Sequence, residues 1–285
     1  MPSSSRPPPT KRNLSVNTLI DSRTEFSGRV ALVTGGGSGI GRAIAVRWGA
    51  AGGTVAVLGR RGEALAETVA LVEQAGGTGI ALDSCDVRDH AAVTDTVDAL
   101  VARTGRLDAL VNNAAGNFVV PGEVLSPGGF KAVIDIVLNG TFHCTRAAAT
   151  HMLAAGSGSI LNVIATYAWH GHPGTVHSAA AKAGVVAMSR TLAVEWAARG
   201  VRINCIAPGP TETAGAGAAL WPTDKARAHV LDSVPAARFA APEEIAESAA
   251  FLLSRRADYV TGEVLVVDGG QWLGKSIYTD PEKDA

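Results

Sequence analysis

Near its amino end the chain reads Val30-Ala31-Leu32-Val33-Thr34-Gly35-Gly36-Gly37-Ser38-Gly39-Ile40-Gly41. The first five residues form a short apolar run typical of a buried strand, and a helix-like pattern begins where the glycines end. Glycines between a strand and a helix allow a tight turn, a close approach of a pyrophosphate and close helix–strand packing. The helix amino terminus adds free N–H groups and a positive dipole end. The context favours a dinucleotide-binding loop over a mere tight turn, with these candidate contacts: Gly35, Ser38, Gly39, Ile40 and Gly41.

Six more β-rich runs follow, and helix-like patterns separate them. Strands are predicted at residues 30–34, 54–58, 78–82, 107–111, 159–165, 201–207 and 263–267. Helices are predicted at residues 40–51, 63–74, 90–103, 127–154, 178–198 and 242–253. Continuously apolar strands that alternate with helices indicate a parallel sheet covered on both faces. The predicted fold class is therefore α/β, a single Rossmann-like doubly wound domain with a seven-stranded, mostly parallel sheet and helices on both faces.

The sequence shows no internal domain boundary and no fixed-period repeat. One dinucleotide-binding domain is predicted over residues 28–274, after a disordered extension (1–27) and before a tail (275–285). The first twenty residues are basic, rich in Ser and Pro, and free of acids, which also fits a transit peptide. The three prolines at 7–9 would break the helix that such a peptide needs. We expect a bacterial cytoplasmic location, with a mitochondrial one as the alternative if the extension is a transit peptide.

Composition excludes several classes of protein. Hydrophobic residues make up 47% of the chain and the formal net charge is −1, so a sizeable core is available without excess charge for nucleic acid or anionic lipid. No apolar run reaches the roughly 18 residues needed to span a membrane. Three cysteines without a CxxC pair predict neither a disulfide framework nor a zinc site. His170-Gly171-His172 has no Cys or acid nearby, so no metal is expected there.

The residues after the second predicted strand indicate which nicotinamide cofactor binds. An acid in that place would bond a ribose 2′-hydroxyl, whereas arginine accommodates a 2′-phosphate. The chain has Gly59-Arg60-Arg61 and no acid. Because arginine binds phosphate as a bidentate fork, NADPH is the predicted cofactor, held by Arg60 with help from the Ser38 hydroxyl. The alternative for Arg61 is a solvated charge at the start of a helix.

Asp86 follows the third predicted strand, at the edge of the sheet where an adenine amino group would lie. We expect it to contact the adenine. The alternative is that Asp86 caps the helix that begins near His90.

Several motifs together resemble the short-chain dehydrogenase/reductase family over roughly residues 28–270. They are the glycine loop at 34–41, Asn112-Asn113-Ala114-Ala115-Gly116, a lysine on the helix at 178–198, and Pro208-Gly209-Pro210. The resemblance implies the fold and a nicotinamide cofactor, with further cofactor contacts from these residues: Asn113, Lys182, Pro208 and Gly209. It also implies a homotetramer built on the long helices.

The chain departs from the family where the acid catalyst is expected. The family's usual tyrosine stands four residues before the lysine, with a serine about thirteen residues before that tyrosine. Ser178 and Ala165 occupy those positions here. A serine hydroxyl is far too weak an acid to replace a phenol, so the usual carbonyl/alcohol chemistry is in doubt.

One branch of the family, the NADPH-dependent 2,4-dienoyl-CoA reductases, shows the same departure. The sequence is similar to that branch at residues 112–118, 135–141 and 178–184 and at the displaced Tyr167. The resemblance implies hydride transfer to the far end of a conjugated dienoyl thioester. Protonation of the resulting dienolate at the α-carbon then leaves a trans-3-enoyl-CoA, a reaction of unsaturated fatty-acid degradation.

The resemblance also assigns roles. Tyr167 and Asn117 donate hydrogen bonds to the thioester oxygen, while Lys182 holds the nicotinamide ribose and lowers the pKa of the phenol. Ser178 supports the pocket or cofactor, and Asn139 helps to maintain a water and lysine network. The alternatives are an ordinary strand-end tyrosine, a turn asparagine at 117 and a packing asparagine at 139.

Three hypotheses therefore stand: an acyl-CoA-dependent dienoyl reductase, another oxidoreductase acting on a ketone or secondary alcohol, and a catalytically silent NADP-binding regulator. The Gly- and Ala-rich segment at 211–221 is typical of a mobile lid. Trp221 at its end is interpreted either as a wall for the acyl chain or as a packing residue.

Overall fold

The computed structural model of the protein describes residues 23–82, 85–213, 215, 217 and 220–274. Its strands are β1 (Val30–Thr34), β2 (Thr54–Leu58), β3 (Thr78–Leu82), β4 (Ala109–Asn112), β5 (Gly158–Val163), β6 (Val201–Pro208) and β7 (Val264–Val267). Its main helices are α1 (Gly39–Ala50), α2 (Gly62–Gln74), α3 (His90–Thr104), α4 (Pro127–Ile134), α5 (Gly140–Ala155), α6 (Val176–Trp196), α7 (Asp224–Asp232) and α8 (Pro242–Leu253).

The strands form one seven-stranded sheet in the order β3-β2-β1-β4-β5-β6-β7. Every neighbouring pair is parallel, so the predicted Rossmann-like α/β fold is confirmed. The strand order reverses between β1 and β4. In open α/β sheets, ligands bind at the carboxyl ends of the strands beside such a reversal. The topology therefore indicates where the site lies.

The sheet is covered on both faces, as its apolar strands require. On one face α1 packs against α2 and α8, and on the other α3 packs against α5. All five residues of β1 are buried, and the core divides into clusters on the two sides of the sheet. None of the described helices is long and apolar enough to cross a membrane.

Two helical features differ from the prediction. The helix predicted over 127–154 is not continuous, because a π-helical turn at Asp135–Asn139 separates α4 from α5. The segment at 224–232, where no helix was predicted, forms α7. The Thr223 side chain caps the start of α7 by accepting a hydrogen bond from the backbone N–H of Ala226. The helix α7 was not predicted because its residues are mostly polar and show no apolar periodicity.

The packed domain begins before residue 28. Phe26 is fully buried and stacks on Trp48 with ring centroids 3.8 Å apart. Its backbone N–H also donates to the carbonyl of Ala51. Residues 23–27 thus belong with the domain, while positions 1–22 of the predicted extension and the tail at 275–285 lie outside the described residues.

Candidate active site

The glycine turn between β1 and α1 borders a cleft of about 340 Å³. Gly35 and Gly39 have φ angles of +63° and +54°, a region that residues with a Cβ rarely adopt. Gly41 is needed for another reason, because a Cβ there would lie 2.6 Å from the carbonyl oxygen of Gly35. The backbone can form this turn only with glycine at these places.

Asn113 ties the end of β4 to the glycine turn. Its Nδ2 donates to the carbonyl oxygens of Thr34 (3.2 Å) and Gly35 (3.1 Å). The Thr34 hydroxyl in return accepts the backbone N–H groups of Asn113 and Ala114, both at 3.0 Å. The two strands on either side of the reversal are therefore held together at the cleft.

Most predicted cofactor contacts line this cleft: Gly35, Ser38, Gly39, Ile40, Arg60, Asp86 and Asn113. The Ser38 side chain is exposed and makes no capping hydrogen bond to α1. A hydrogen bond from its hydroxyl to a cofactor phosphate would therefore not compete with a bond to its own helix. Gly41 packs beneath the turn. Pro208 and Gly209 lie at the carboxyl end of β6, outside the lining of the cleft, as does Lys182.

The charged residues of the cleft differ in how they are paired. Arg60 and Arg61 are exposed, and no carboxylate of the described chain forms an ion pair with either. Asp86 instead bonds Arg88 through both carboxylate oxygens, which holds the pKa of Asp86 below its usual value. The alternative role for Asp86 as a helix cap is wrong, because Asp89 caps α3 by accepting from Ala92.

Tyr167 lies in a 3₁₀ turn (Thr166–Ala168) immediately after β5. Its hydroxyl lies 3.1 Å from Oγ of Ser178 on the first turn of α6. Burial raises the pKa of the phenol, and contacts with Ser178 and Asn117 oppose this only in part. Lys182 does not act on this pKa in the structure, where burial and the contacts with Ser178 and Asn117 determine its direction, so the lowering expected from the lysine stays a prediction.

Lys182 lies one helical turn after Ser178, on the same face of α6. It is 7% exposed, and its Nζ donates to the carbonyl oxygen of Val163 at 2.6 Å. Burial lowers the pKa of the ammonium to about 8, and the neighbouring Cys205 opposes that effect. The lysine is thus anchored at the carboxyl end of β5, close to the turn that carries Tyr167.

Asn117 follows β4 and has one unpartnered donor. Its Oδ1 accepts the backbone N–H of Phe118 at 2.9 Å, as an asparagine in a turn commonly does. Its Nδ2 is buried and has no hydrogen-bond partner among the described residues. The amide nevertheless lowers the pKa of Tyr167, so it lies near the phenol without a hydrogen bond of normal geometry.

His177 is a buried residue of α6, although the predicted helix began only at residue 178 and the sequence placed this histidine in the preceding loop. It is 0% exposed, and neither ring nitrogen has a partner in the described part of the chain. Its ring lies against that of Phe118, with centroids 4.4 Å apart, and burial lowers its pKa. Its position directly before Ser178 is the sequence feature that could have identified it as a residue of the site.

The other loop histidines make local contacts. Nε2 of His170 lies 3.1 Å from the Thr166 hydroxyl, and Nδ1 of His172 lies 3.3 Å from that of Thr175. Within the described ranges no group of three or more His, Cys, Asp or Glu side chains is arranged to hold a metal ion.

Asn139 does not join the lysine in this structure. It ends the π-helical turn, its side chain is exposed, and its Nδ2 donates to Oδ1 of Asp135 at 3.0 Å. The same carboxylate also pairs with Lys131. The Asn139 side chain thus makes a local contact one turn back along the helix, and its part in a water and lysine network stays a prediction.

Comparison with known proteins matches the family described as enoyl-(acyl carrier protein) reductase over residues 35–271. The chain belongs to the short-chain dehydrogenase/reductase family. It is an oxidoreductase of that family, and the resemblance drawn from the motifs is confirmed.

Named members of the short-chain dehydrogenase/reductase family give closer comparisons. A probable 2,4-dienoyl-CoA reductase of Bacillus subtilis, named as (2E)-enoyl-CoA-producing, is 51% identical over 247 residues, which are 86% of this chain and 97% of that protein. A peroxisomal 2,4-dienoyl-CoA reductase of Danio rerio, named as (3E)-enoyl-CoA-producing, is 38% identical and covers 90% of this chain and 85% of its own.

A solved structure of the same family carries a cofactor. It is a putative NAD(P)-dependent gluconate 5-dehydrogenase from Beutenbergia cavernae with bound NADP, 38% identical, with a TM-score of 0.83. The alignment covers 88% of this chain and 99% of that structure.

The lid-like segment predicted at 211–221 is described only in part, since positions 214, 216, 218 and 219 lie outside the described residues. Trp221 at its end packs against Phe239, with ring centroids 5.3 Å apart. Arg227 of α7 bonds Glu212 at 2.7 Å and lies over the same Phe239 ring. The packing interpretation of Trp221 therefore agrees with this contact.

Proposed function

We propose that this oxidoreductase uses NADPH to reduce 2,4-dienoyl-CoA esters to trans-3-enoyl-CoA in the degradation of unsaturated fatty acids. The observation that carries the proposal is the pair of donors at Tyr167 and Asn117. One phenol and one unpartnered amide Nδ2 lie close together at the end of the sheet. A buried polar group without a partner is rare and calls for a ligand or a function.

The cleft fits the proposed NADPH. The helix α1 presents its amino terminus to the glycine turn, where phosphate is stabilised. Arg60 and Arg61 stand exposed beside it without carboxylate partners in the described chain, as the 2′-phosphate of NADPH requires. The binding of NADP by a solved relative supports the same choice. When bound, the cofactor supplies a hydride.

The phenol of Tyr167 suits the role of a donor. A phenol is already protonated at neutral pH, and burial raises the pKa of Tyr167 further, so the hydroxyl is able to donate a hydrogen bond. The Asn117 amide is the second donor of the site, and it stays protonated at neutral pH. Donors of this kind stabilise negative charge that develops on a thioester oxygen, and each contributes about 3 kcal/mol.

The substrate accepts both electrons of the hydride. Addition of the hydride at the δ-carbon moves the conjugated electrons to the thioester oxygen, and Tyr167 and Asn117 stabilise the resulting negative charge by hydrogen bonds. Protonation of this dienolate at the α-carbon gives the trans-3-enoyl ester. Lys182 holds the cofactor ribose in this scheme, and Ser178 keeps the Tyr167 hydroxyl in place by the 3.1 Å contact.

A second product is favoured by one comparison. The Bacillus relative, 51% identical, is named for a (2E)-enoyl-CoA product. Protonation of the same dienolate at the γ-carbon instead of the α-carbon gives that product. The two candidate functions thus share every residue named above and differ only in the carbon that receives the proton.

The proposed substrate is an acyl-CoA thioester, the proposed assembly a homotetramer, and the proposed location a bacterial cytoplasm. The exposed apolar side chains of Val176 and Val194 on α6 support an assembly through the long helices. The bacterial relative supports the location. Size-exclusion chromatography with light scattering measures the assembly.

The deciding experiment follows NADPH absorbance with trans-2,trans-4-hexadienoyl-CoA, and repeats the reaction in heavy water. Oxidation of NADPH with one deuterium at the α-carbon of a 3-enoyl product is the expected result. Deuterium at the γ-carbon of a 2-enoyl product would establish the second candidate.

A counter-assay offers NADP⁺ with a panel of secondary alcohols. Turnover of alcohols without turnover of the dienoyl ester would overturn the proposal and favour ordinary carbonyl chemistry. Silence in both assays together with tight NADPH binding would identify a regulator.

A further inference from the structure

The loop that carries Asn117 is held against α6 by a buried histidine. Phe118, the next residue, lies with its ring 4.4 Å from the ring of His177 at an interplanar angle of 48°. Phe118 is 40% exposed whereas His177 is 0% exposed, so the histidine lies beneath the loop. The imidazole is thus covered by Phe118, whose backbone N–H donates to Oδ1 of Asn117 at 2.9 Å.

Two close approaches confine the same loop. A Cβ on Gly129, at the start of α4, would lie 3.3 Å from Cζ of Phe118, and one on Gly174 would lie 2.7 Å from Cγ1 of Val119. The backbone N–H of Val120 also donates to the carbonyl of Gly174 at 3.0 Å. The Phe118 ring therefore lies between α4 and α6, and His177 forms the α6 side of that contact.

We propose that His177 is a positioning residue for the reaction, because its ring holds Phe118 and thereby orients the Asn117 amide toward the thioester oxygen. The inference rests on the proposed function. It assigns the first turn of α6 two parallel tasks. Ser178 holds the Tyr167 hydroxyl directly, and His177 holds Asn117 through its neighbour.

The state of the ring agrees with a role in packing. Neither imidazole nitrogen makes a hydrogen bond of normal geometry in the described part of the protein, although the backbone of Phe118 lies near enough to oppose the effect of burial on the pKa of His177. The aromatic contact with Phe118 is the closer-fitting interaction between the ring and the loop. An aromatic ring of similar size is therefore expected to replace it, whereas a methyl group is not.

A double-mutant cycle on the whole enzyme tests the inference with hexadienoyl-CoA and NADPH. His177→Ala is expected to lower kcat on the order of 10- to 100-fold, the cost of a displaced contact group, while KM for NADPH stays within about twofold. In the Asn117→Ala background, the same change is expected to cost less than about twofold, because the donor it positions is already absent. Independent losses that multiply in the double variant would overturn the proposal.

Two further variants separate positioning from general damage. His177→Phe is expected to restore kcat to within about threefold of the wild type, since the aromatic contact is kept. Loss equal to that of His177→Ala would assign the role to the ring nitrogens and contradict the proposal. His151→Ala, a histidine on α5 paired with Asp98, serves as the control and is expected to leave kcat unchanged.

A crystal structure of the His177→Ala variant gives a result that does not depend on turnover. Displacement of Phe118 and Asn117 is expected, and an unmoved Asn117 amide would overturn the inference. Failure of the proposed function itself is recognised separately, because the wild-type enzyme would then not oxidise NADPH with the dienoyl ester.

Discussion

The cofactor cleft and the donor site lie at the same end of the sheet and are built in opposite ways. The cleft contains two short backbone stretches, 34–41 and 112–116, where added side-chain atoms would clash, and side chains such as Arg60 and Asp86 complete its lining. The donor site is formed by side chains from three separate segments: Asn117 after β4, Tyr167 after β5, and Ser178 with Lys182 on α6. Substitutions that add side-chain atoms are therefore expected to disrupt the glycine turn of the cleft, whereas substitutions that remove side-chain atoms are expected to disrupt the donor site.

Substitutions in the two regions are therefore expected to impair different steps. Changes in the cleft are expected to weaken cofactor binding and leave the chemistry of the bound complex intact. Changes at Tyr167 and Asn117 are expected to slow the chemistry and leave cofactor affinity intact, whereas Lys182 also holds the cofactor ribose in the proposed scheme. Three variants test that separation, and a fourth tests the burial of Lys182.

The largest effect is expected from Tyr167→Phe, which removes one hydroxyl from the donor site. Loss of a donor to a developing oxyanion lowers kcat by about 10²- to 10³-fold. The dissociation constant for NADPH, measured by fluorescence titration, is expected to stay unchanged. Tyr259→Phe changes a fully exposed tyrosine and is the matched control. A variant at 167 that keeps normal turnover would remove the phenol from the mechanism.

The next effect concerns the buried ammonium of Lys182. Its pKa in the folded protein, about 8, lies below the value of 10.5 for a free lysine, so between these values the unfolded chain binds more protons. The free energy of unfolding of the wild type is therefore expected to rise with pH across that window, relative to Lys182→Met, by at most about 3 kcal/mol. Urea denaturation at pH 7, 8, 9 and 10 measures it.

The exposed Lys225→Met variant is the control and is expected to follow the wild-type pH dependence. A constant difference between wild type and Lys182→Met at all four pH values would show that the lysine keeps its ordinary pKa when folded.

Gly41→Ala tests the backbone cleft. Its Cβ would approach the carbonyl oxygen of Gly35 to 2.6 Å, and such crowding costs about 1–3 kcal/mol. Both NADPH affinity and the free energy of unfolding are expected to fall, by isothermal calorimetry and by denaturation. Gly128→Ala, where an added Cβ meets nothing within 4 Å, is the matched control. Equal NADPH affinity and equal free energy of unfolding in the two variants would mean that the turn accommodates a Cβ at position 41.

The smallest effect is expected from Arg60→Ala, at the exposed edge of the cleft. Loss of one charge-assisted contact to the 2′-phosphate lowers NADPH affinity about tenfold, or about 1.4 kcal/mol, and leaves NADH affinity unchanged. Arg103→Ala, in the last turn of α3, is the control. Weakening of both cofactors alike would assign Arg60 to a contact that they share.

Much of the fold was predictable because the decisive signals are local. β1, β2 and β3 have the predicted bounds, since apolar runs that end at glycine or polar residues are readable within a few positions. The glycine turn was predictable for the same reason. The π-helical turn at Asp135–Asn139 was not, because it depends on how α4 and α5 pack against their neighbours.

The donor site was predictable as a set of residues but not as an arrangement. The four-residue spacing of Ser178 and Lys182 placed both on one face of α6, as observed. The contact of Tyr167 with Ser178 joins residues from two elements, and no spacing rule connects them. The hydrogen bond of Asn139 to Asp135 was not predicted either, and the role of Asn139 in a water and lysine network stays a prediction.

The sequence by itself determined the fold class, the cofactor loop and the types of residue that the chemistry needs. Each of these depends on the order of neighbouring residues and on hydrophobic periodicity, which a linear chain records. Only the tertiary structure decided that burial raises the pKa of the Tyr167 phenol, that Nδ2 of Asn117 has no partner in the described chain, and that His177 lies beneath Phe118. These properties arise from desolvation and from contacts between distant segments, which exist only once the sheet and its helices have assembled.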